Sequence, residues 1–241
     1  MQATSTATAT LTVGDKNVQL PIVTGTENES AIDIAQLRKE TSLVTLDHGY
    51  MNTGSCLSSI TFLDGESGIL RYRGIPIEQL AEKSNFIETA FLIICGNLPT
   101  RAELDVFTHS LTRHTMIHED MKRFFDGYPS TAHPMAILSS MVCSLSCYYP
   151  QALESQTGED RNLTIIRLLA KMPTIAAFSY KKSMGQPFIY PKNSLEYCSN
   201  ILHMLYAVPA EEYHVDPDVA KALETAFASG QIKMTRAAAM V

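Results

Sequence analysis

The sequence predicts a mainly α-helical protein with a small β region at its N-terminus, and three observations lead to this prediction. Apolar residues recur at helical spacing over most of the chain after Tyr72. Before that point, two pairs of alternating segments have the pattern of β-hairpins. The 241 residues, 45% of them apolar and 18% charged, are numerous enough to bury a large helical core.

The charge and the N-terminal composition exclude several classes of protein. A net charge of −6 argues against a nucleic-acid-binding protein or one held on an anionic membrane, because no overall positive field attracts phosphates. Residues 1–10 are rich in Thr, Ala and Ser and lack the basic start and apolar block of a secretory signal. We expect residues 1–10 to form a disordered tail on a cytoplasmic protein.

Cysteine usage supports the same compartment. The number of cysteines is odd and no Cys-x-x-Cys pair occurs. Most of them stand among apolar residues, so we expect reduced thiols in the core. The cysteines are Cys56, Cys95, Cys143, Cys147 and Cys198.

The N-terminal β region is predicted to cover residues 11–72. Its first hairpin is the alternating segment Thr10–Ile22. Ile32–Leu37 is expected to add one or two helical turns. A second hairpin joins Ile60–Leu63 to Ile69–Tyr72 through a turn rich in Asp, Gly and Ser.

Helices are predicted over residues 73–227, and their ends carry recognisable signals. Thr100 and Glu103 have the spacing of a capping box. Pro173 is expected to kink the longest helix, and Gly185 is suited to the position after its end. The predicted helices are Pro76–Lys83, Phe86–Cys95, Thr100–Arg113, His118–Phe125, 133–149, Leu163–Met184, Leu195–Tyr206 and a last one that Asp216 opens, with Val219, Leu223 and Phe227 on one face.

The helix predicted at 133–149 is expected to be the centre of the protein. No charged residue occurs between Gly127 and Leu153, and Pro134 suits the first helical position. Serines dilute the stretch, so we interpret it as a helix buried on all sides rather than a membrane span. Another helix is expected to approach its face of small side chains closely. That face consists of Ala136, Ser140, Cys143 and Cys147.

Several motifs, taken together and in order from Leu11 to Phe227, resemble citrate synthases, and most closely the bacterial hexameric (type II) branch. The motifs are Ile60–Gly65 (Ile-Thr-Phe-Leu-Asp-Gly), Tyr72–Ala81 (Tyr-Arg-Gly-Ile-Pro-Ile-Glu-Gln-Leu-Ala), Thr112–Glu119 (Thr-Arg-His-Thr-Met-Ile-His-Glu), His133–Met135 (His-Pro-Met), Arg167–Thr174 (Arg-Leu-Leu-Ala-Lys-Met-Pro-Thr) and Gly185–Pro191 (Gly-Gln-Pro-Phe-Ile-Tyr-Pro).

The resemblance implies an almost all-α fold, with the 133–149 helix at the interface of a homo-oligomer. It also implies the condensation of acetyl-CoA with oxaloacetate, the entry step of the citric acid cycle. A 2-methylcitrate synthase, which uses propionyl-CoA, is the alternative within the same chemistry. A non-catalytic helical module that oligomerises or binds a nucleotide is the alternative from another class.

The catalytic groups are not expected in this sequence. The condensation needs a carboxylate base, histidines that stabilise the enol and polarise the ketone, and arginines that hold two carboxylates. In the family these positions follow the region that matches here. Residues 228–241 do not match the family, so we expect a truncated chain, inactive alone, in which no residue inherits a catalytic role.

The resemblance implies one binding site, for NADH as an allosteric inhibitor. Arg167 and Lys171 are like charges four residues apart, which favours a partner of opposite charge. The alternative is a solvated face in which acidic side chains pair with these two. Ala210 departs from the family, since a Cys occupies that place in NADH-sensitive members. The matched positions are Arg113, His114, Thr115, Met116, Tyr149, Arg167 and Lys171, and the candidate acidic partners are Glu154, Glu159 and Asp160.

No metal site is expected. His114 and His118 are four residues apart, which would place both on one face of a helix, and Glu119 follows. However, the order differs from His-Glu-x-x-His and no third ligand is evident. Apart from NADH, no cofactor is predicted.

Overall fold

The structure, a computed structural model, describes residues 4–150 and 158–230 and confirms a mainly helical fold with an N-terminal sheet. Its contacts divide the chain into two compact units, residues 1–58 and 59–241. The division falls before the second predicted hairpin, which therefore belongs with the helices. The sequence had grouped that hairpin with the first one.

The first unit is an antiparallel sheet with the strand order β1-β2-β3. Val18 and Leu20 are buried on β2, and a short helix, α1, lies against that strand with Leu37 buried. The elements are β1 (Thr4–Val13), β2 (Lys16–Thr24), β3 (Ser30–Ile32) and α1 (Leu37–Thr41).

Two predictions for the first unit are wrong. Residues 4–10, expected to be disordered, belong to β1, because a Thr at every second position favours an extended strand. The helix expected over Ile32–Leu37 begins only at Leu37, because Ser30–Ile32 pairs with β2 as a third strand. The hairpin predicted at Thr10–Ile22 is confirmed and is longer than expected at both ends.

The second unit opens with the second predicted hairpin, formed by β4 (Thr61–Asp64) and β5 (Ile69–Tyr72). The Asp64 carboxylate accepts hydrogen bonds from the backbone N–H groups of Glu66 and Ser67, which fixes the turn. A two-residue strand, β6 (Ile75–Pro76), pairs with β5 and was not predicted.

Helices form the rest of the second unit. Asn85 with Glu88 and Thr100 with Glu103 make complete capping boxes at two helix starts. The helices are α2 (Ile77–Lys83), α3 (Phe86–Cys95), α4 (Arg101–Arg113), α5 (Lys122–Asp126), α6 (Pro134–Tyr148), α7 (Gly158–Ser183), α8 (Tyr197–Tyr206) and α9 (Pro217–Ala228).

Several helical boundaries or faces differ from the prediction. The longest helix, α7, begins at Gly158, five residues earlier than expected. The helix expected over His118–Phe125 begins as a 3₁₀ turn at Glu119–Met121 and continues as α5. The α8 helix starts at Tyr197, two residues later than expected. On α9, Val219 is exposed, whereas Phe227 is buried.

The core of the second unit consists of three clusters of buried side chains. The largest joins α5, α6 and α7, where the rings of Phe178 and Phe188 are stacked with centroids 4.5 Å apart. A second joins α3, α8 and α9 through Phe86, Ile201 and Phe227. The third joins α4 to α7.

The prediction that the central helix is buried on all sides is wrong. One face of α6 packs into the core through Ile137, Leu138, Met141 and Leu145. All four members of the small-residue face are exposed in the single chain. Within the chain, α7 packs on the opposite, apolar face of α6.

The cysteine prediction fails for the same reason. Cys56, Cys95, Cys143 and Cys147 are exposed, and only Cys198 is buried. At the three helical positions, Cys95, Cys143 and Cys147, apolar neighbours in the sequence did not bury the thiols, since adjacent helical residues point to different faces. At Cys198, burial raises the pKa of the thiol to about 12.

The longest helix, α7, contains Pro173 as predicted. Proline has no N–H for the carbonyl four residues earlier, which belongs to Leu169. The Tyr197 hydroxyl of α8 donates to that carbonyl at 2.9 Å. A side chain from a neighbouring helix thus replaces the missing backbone hydrogen bond.

In the part of the chain that the structure describes, no helix has both the length and the apolar content needed to cross a membrane.

Candidate functional site

The candidate site forms where the segment after α4 meets the middle of α7. The α4 helix ends at Arg113, and His114 is its C-cap. The His114 ring nitrogen Nδ1 lies 2.8 Å from the Ser110 carbonyl oxygen, one turn back. The chain leaves the helix at this point, and residues 114–116 lie alongside α7.

Two side chains of α7 hold this segment by its backbone. The Lys171 amino group donates to the carbonyl oxygens of His114 at 2.8 Å and Met116 at 2.5 Å. The Thr174 hydroxyl donates to the carbonyl oxygen of Thr115 at 2.8 Å. Three successive carbonyls therefore have partners on α7.

Burial gives Lys171 unusual electrostatics. Its side chain lies in the interior, with the residue only 3% exposed. Burial, and secondarily the nearby Arg167 guanidinium, lower the pKa of Lys171 to about 8. The interpretation of a solvated face is therefore wrong for Lys171, since carbonyl dipoles rather than carboxylates surround its amino group.

Tyr149, the C-cap of α6, completes the cluster. The Arg167 guanidinium carbon lies 4.6 Å from the centre of the Tyr149 ring, and the Lys171 nitrogen lies 5.5 Å from it. The electron-rich face of the ring attracts both cations, which offsets part of their mutual repulsion. The ring thus supplies an attraction that the candidate acidic partners were expected to provide.

Arg167 retains unused hydrogen-bonding capacity. Its Nε atom is buried and has no hydrogen-bond partner among the described residues. Of the candidate acidic partners, Glu154 lies outside the described residues, and Glu159 is exposed at the start of α7.

The structure brings together six of the seven predicted positions. We use the name arginine–tyrosine cluster for these six: His114, Thr115, Met116, Tyr149, Arg167 and Lys171. Arg113 precedes the cluster, and its side chain is exposed. Sequence reasoning missed Thr174, although its position three residues after Lys171 places both on one helical face.

His114 and His118 do not share a helical face, because α4 ends at Arg113 and the next helical turn begins only after His118. His114 turns back toward α4, while the Nδ1 atom of His118 accepts from the Asp120 N–H and caps a separate 3₁₀ turn. Among residues 4–150 and 158–230, no group of three or more potential ligands is placed to hold a metal ion.

Comparison with known protein sequences shows which family this chain resembles. Residues 49–229 match the family described as "Citrate synthase, C-terminal domain". Over 220 residues the chain is 52% identical to Citrate synthase 1 of Mycobacterium tuberculosis, a match that covers 91% of this chain and 51% of the relative. The chain therefore spans about half the length of the curated relatives that it matches.

Solved structures agree with this match. Citrate synthase from Thermotoga maritima is 30% identical, with a TM-score of 0.62 over 76% of this chain and 46% of that chain. Citrate synthase from Pyrobaculum aerophilum is 25% identical, with a TM-score of 0.66 over 93% of this chain and 49% of that chain. Since the family match extends over most of the sequence and the fold agrees, this chain belongs to the citrate synthase family.

Proposed function

We propose that this chain supplies the N-terminal part of a cytoplasmic type II citrate synthase. The reaction condenses acetyl-CoA with oxaloacetate and water to give citrate and free CoA, and it opens the citric acid cycle. One observation carries the proposal: the 52% identity over 220 residues to a protein named Citrate synthase 1.

The chain contributes framework rather than reacting groups. The resemblance places the carboxylate base, the catalytic histidines and the substrate-holding arginines after the matched region. His203, which lies within it, is buried, and burial lowers the pKa of its imidazole. The shift favours the neutral imidazole, and the burial of His203 in α8 indicates a structural role.

A chimera tests the proposed reaction. Residues 11–227 of this chain replace the aligned part of the M. tuberculosis Citrate synthase 1, and oxaloacetate-dependent release of CoA thiol is measured. We expect activity from the chimera and none from the 241-residue chain alone. A folded but inactive chimera contradicts the proposed function. Activity of the 241-residue chain, with host enzyme excluded, contradicts the placement of the catalytic groups.

The same assay distinguishes citrate synthase activity from the related 2-methylcitrate synthase activity. Propionyl-CoA in place of acetyl-CoA reports a 2-methylcitrate synthase, which we expect to be the weaker reaction. Its preference for propionyl-CoA would be set by the part that contacts the acyl group, so the native full-length enzyme is the decisive sample.

We propose further that the arginine–tyrosine cluster binds NADH as an allosteric effector. The supporting observation is the buried, unpartnered Nε of Arg167 beside an aromatic ring. An anionic dinucleotide offers phosphate oxygens to this guanidinium. Lys171 acts indirectly, because its hydrogen bonds are already made to the backbone at 114–116, which it holds in place.

NADH fluorescence titration of the full-length enzyme tests this proposal. We expect Arg167→Ala to weaken NADH binding at least tenfold. Arg161→Ala removes an exposed arginine from the same helix and serves as the matched control. Equal affinities for the two variants contradict the effector site while leaving the proposed reaction unaffected.

The exposed small-residue face of α6 supports a homo-oligomer. Side chains this small allow a second helix to approach closely, so we propose that two copies pack their α6 helices antiparallel at this face. Ser140→Phe is expected to overpack the contact, at a cost of roughly 1–3 kcal/mol. Sedimentation then shows a smaller species than wild type. A wild type that is monomeric at tens of micromolar contradicts this interface.

A further inference from the structure

The edge strand of the first unit has an unused side. In the order β1-β2-β3, β1 has β2 as its single neighbour among the described residues. Its other edge makes no backbone hydrogen bond within the part of the chain that the structure describes. Unpaired N–H and C=O groups along a strand are a template for another strand.

The turn after β1 determines which groups face outward. Gly14 and Asp15 form a two-residue turn, and a φ of +59° at Gly14 fits the turn types that favour hairpins. The flanking residues, Val13 and Lys16, then exchange both backbone hydrogen bonds, and the pattern alternates along the strand. The outward-facing backbone groups belong to Thr8, Thr10 and Thr12.

This edge lacks the usual devices against strand addition. Thr4–Val13 contains no charged residue and no Pro, and its register with β2 is regular from Ala7 to Val13. Natural edges are normally protected by Lys, Pro, a bulge or a short length. A bulge is present, but it lies between Thr4 and Ala7 and leaves the regular part open.

We propose that β1 pairs antiparallel with β1 of a second copy of this chain, about a two-fold axis through Thr10. Because this axis is perpendicular to the sheet, the same face of both copies lies on the same side of the joined sheet. Residues at equal distances on either side of Thr10 then oppose one another. Thr10 opposes the second copy's Thr10, and Thr8 opposes the second copy's Thr12. These three threonine pairs exchange about six backbone hydrogen bonds, and threonines opposite one another are favourable neighbours.

The charge and symmetry of β1 are compatible with a second copy as its partner. Neither strand carries a charge, so two copies meet without like-charge repulsion, and no charge is present to select an oppositely charged chain. Pairing over seven residues buries less than the ~1,200 Å² of a stable interface. We therefore expect association at tens of micromolar and dissociation on dilution. The contact is independent of the proposed α6 interface and of the proposed reaction.

Sedimentation of the full chain tests the proposal with a matched pair of variants. Thr10→Lys places two like charges at the axis, and Thr10→Pro removes the outward N–H without touching the β1–β2 ladder. We expect each to weaken association at least tenfold. Gln19→Lys adds the same charge on the same face of the neighbouring central strand, opposite Thr10, and should leave association unchanged.

A cross-link provides a second measurement in case a variant disturbs folding. Opposed residues in a hydrogen-bonded antiparallel pair have Cα atoms about 5.5 Å apart, within disulfide range. We expect oxidised Thr10→Cys protein to yield a peptide joined to itself at position 10. A monomeric wild type overturns the proposal. So does an association that resists both substitutions at Thr10, or the absence of that peptide.

Discussion

Helices α6 and α7 contradict what their compositions suggest. The α6 helix lies in the longest uncharged stretch of the chain, yet it buries only one face. The α7 helix carries arginines and lysines, yet from Ala170 to Lys181 all but Ala176 and Tyr180 are buried. A lack of charge therefore did not determine which helix lies at the centre.

Satisfied polar groups explain the difference. Between Ala170 and Lys181, each buried polar side chain of α7 has an acceptor, such as the Ala207 carbonyl for Lys181 and the Thr115 carbonyl for Thr174. Burial of such groups costs little once their hydrogen bonds are made. The exposed face of α6 offers only small side chains, whose burial within one chain would contribute little.

The largest expected loss of stability comes from a substitution on the buried face of α6. Met141 is fully buried, so Met141→Ala leaves a cavity and should lower the free energy of unfolding by about 2–5 kcal/mol. Ser140→Ala, one residue away on the exposed face, should change it by less than about 0.5 kcal/mol. Urea unfolding of the chain measures both. Similar losses would show that the two faces are equally buried.

The next effect concerns two adjacent lysines of α7. Lys181→Met leaves the Gln186 side-chain oxygen and the Ala207 carbonyl without their donor, which should cost about 2–4 kcal/mol. Lys182→Met removes a contact 3.7 Å from an exposed Asp126 carboxylate and should cost less than about 1 kcal/mol. Thermal unfolding compares them. Equal costs would mean that burial of Lys181 contributes nothing specific.

The pH dependence of stability tests whether the burial of Lys171 on α7 lowers its pKa. Its pKa of about 8 in the folded chain lies below the ordinary 10.5. Between these values the unfolded chain binds a proton that the folded chain does not, so stability rises with pH over this window.

The Lys171→Met variant lacks this pH-dependent contribution to the free energy of unfolding. The stability of wild type relative to the variant should therefore grow by about 1–3 kcal/mol as the pH rises from 8 toward 10.5. Other titrating groups are common to both proteins and cancel. A constant difference across the window would show that Lys171 keeps its ordinary pKa.

The smallest effect tests the replacement of a backbone hydrogen bond. Tyr197→Phe removes the donor to the Leu169 carbonyl and should cost about 1 kcal/mol. Pro173→Ala restores a backbone N–H to the same carbonyl, so the cost of Tyr197→Phe should shrink in that background. A double-mutant cycle measures the coupling. Additive effects would indicate that the hydroxyl does not substitute for the missing backbone donor.

Local chemistry in the sequence determined the elements and most of their boundaries. The capping box at Thr100 was predicted correctly because such a box needs only four consecutive residues. Periodicity found both hairpins. The resemblance to citrate synthases, rather than local chemistry, indicated the positions around Arg167 and Lys171 that the fold brings together.

Only the tertiary structure decided which helical face is buried and which partner each polar group has. Whether Lys171 is interior depends on neighbours more than 50 residues away in the sequence, namely the segment 114–116. Periodicity identifies a helical face, but burial depends on the free energy of packing that face against a particular surface. The sequence determined what could pair, and the fold decided the pairs, because a hydrogen bond or a packed contact requires both partners in place.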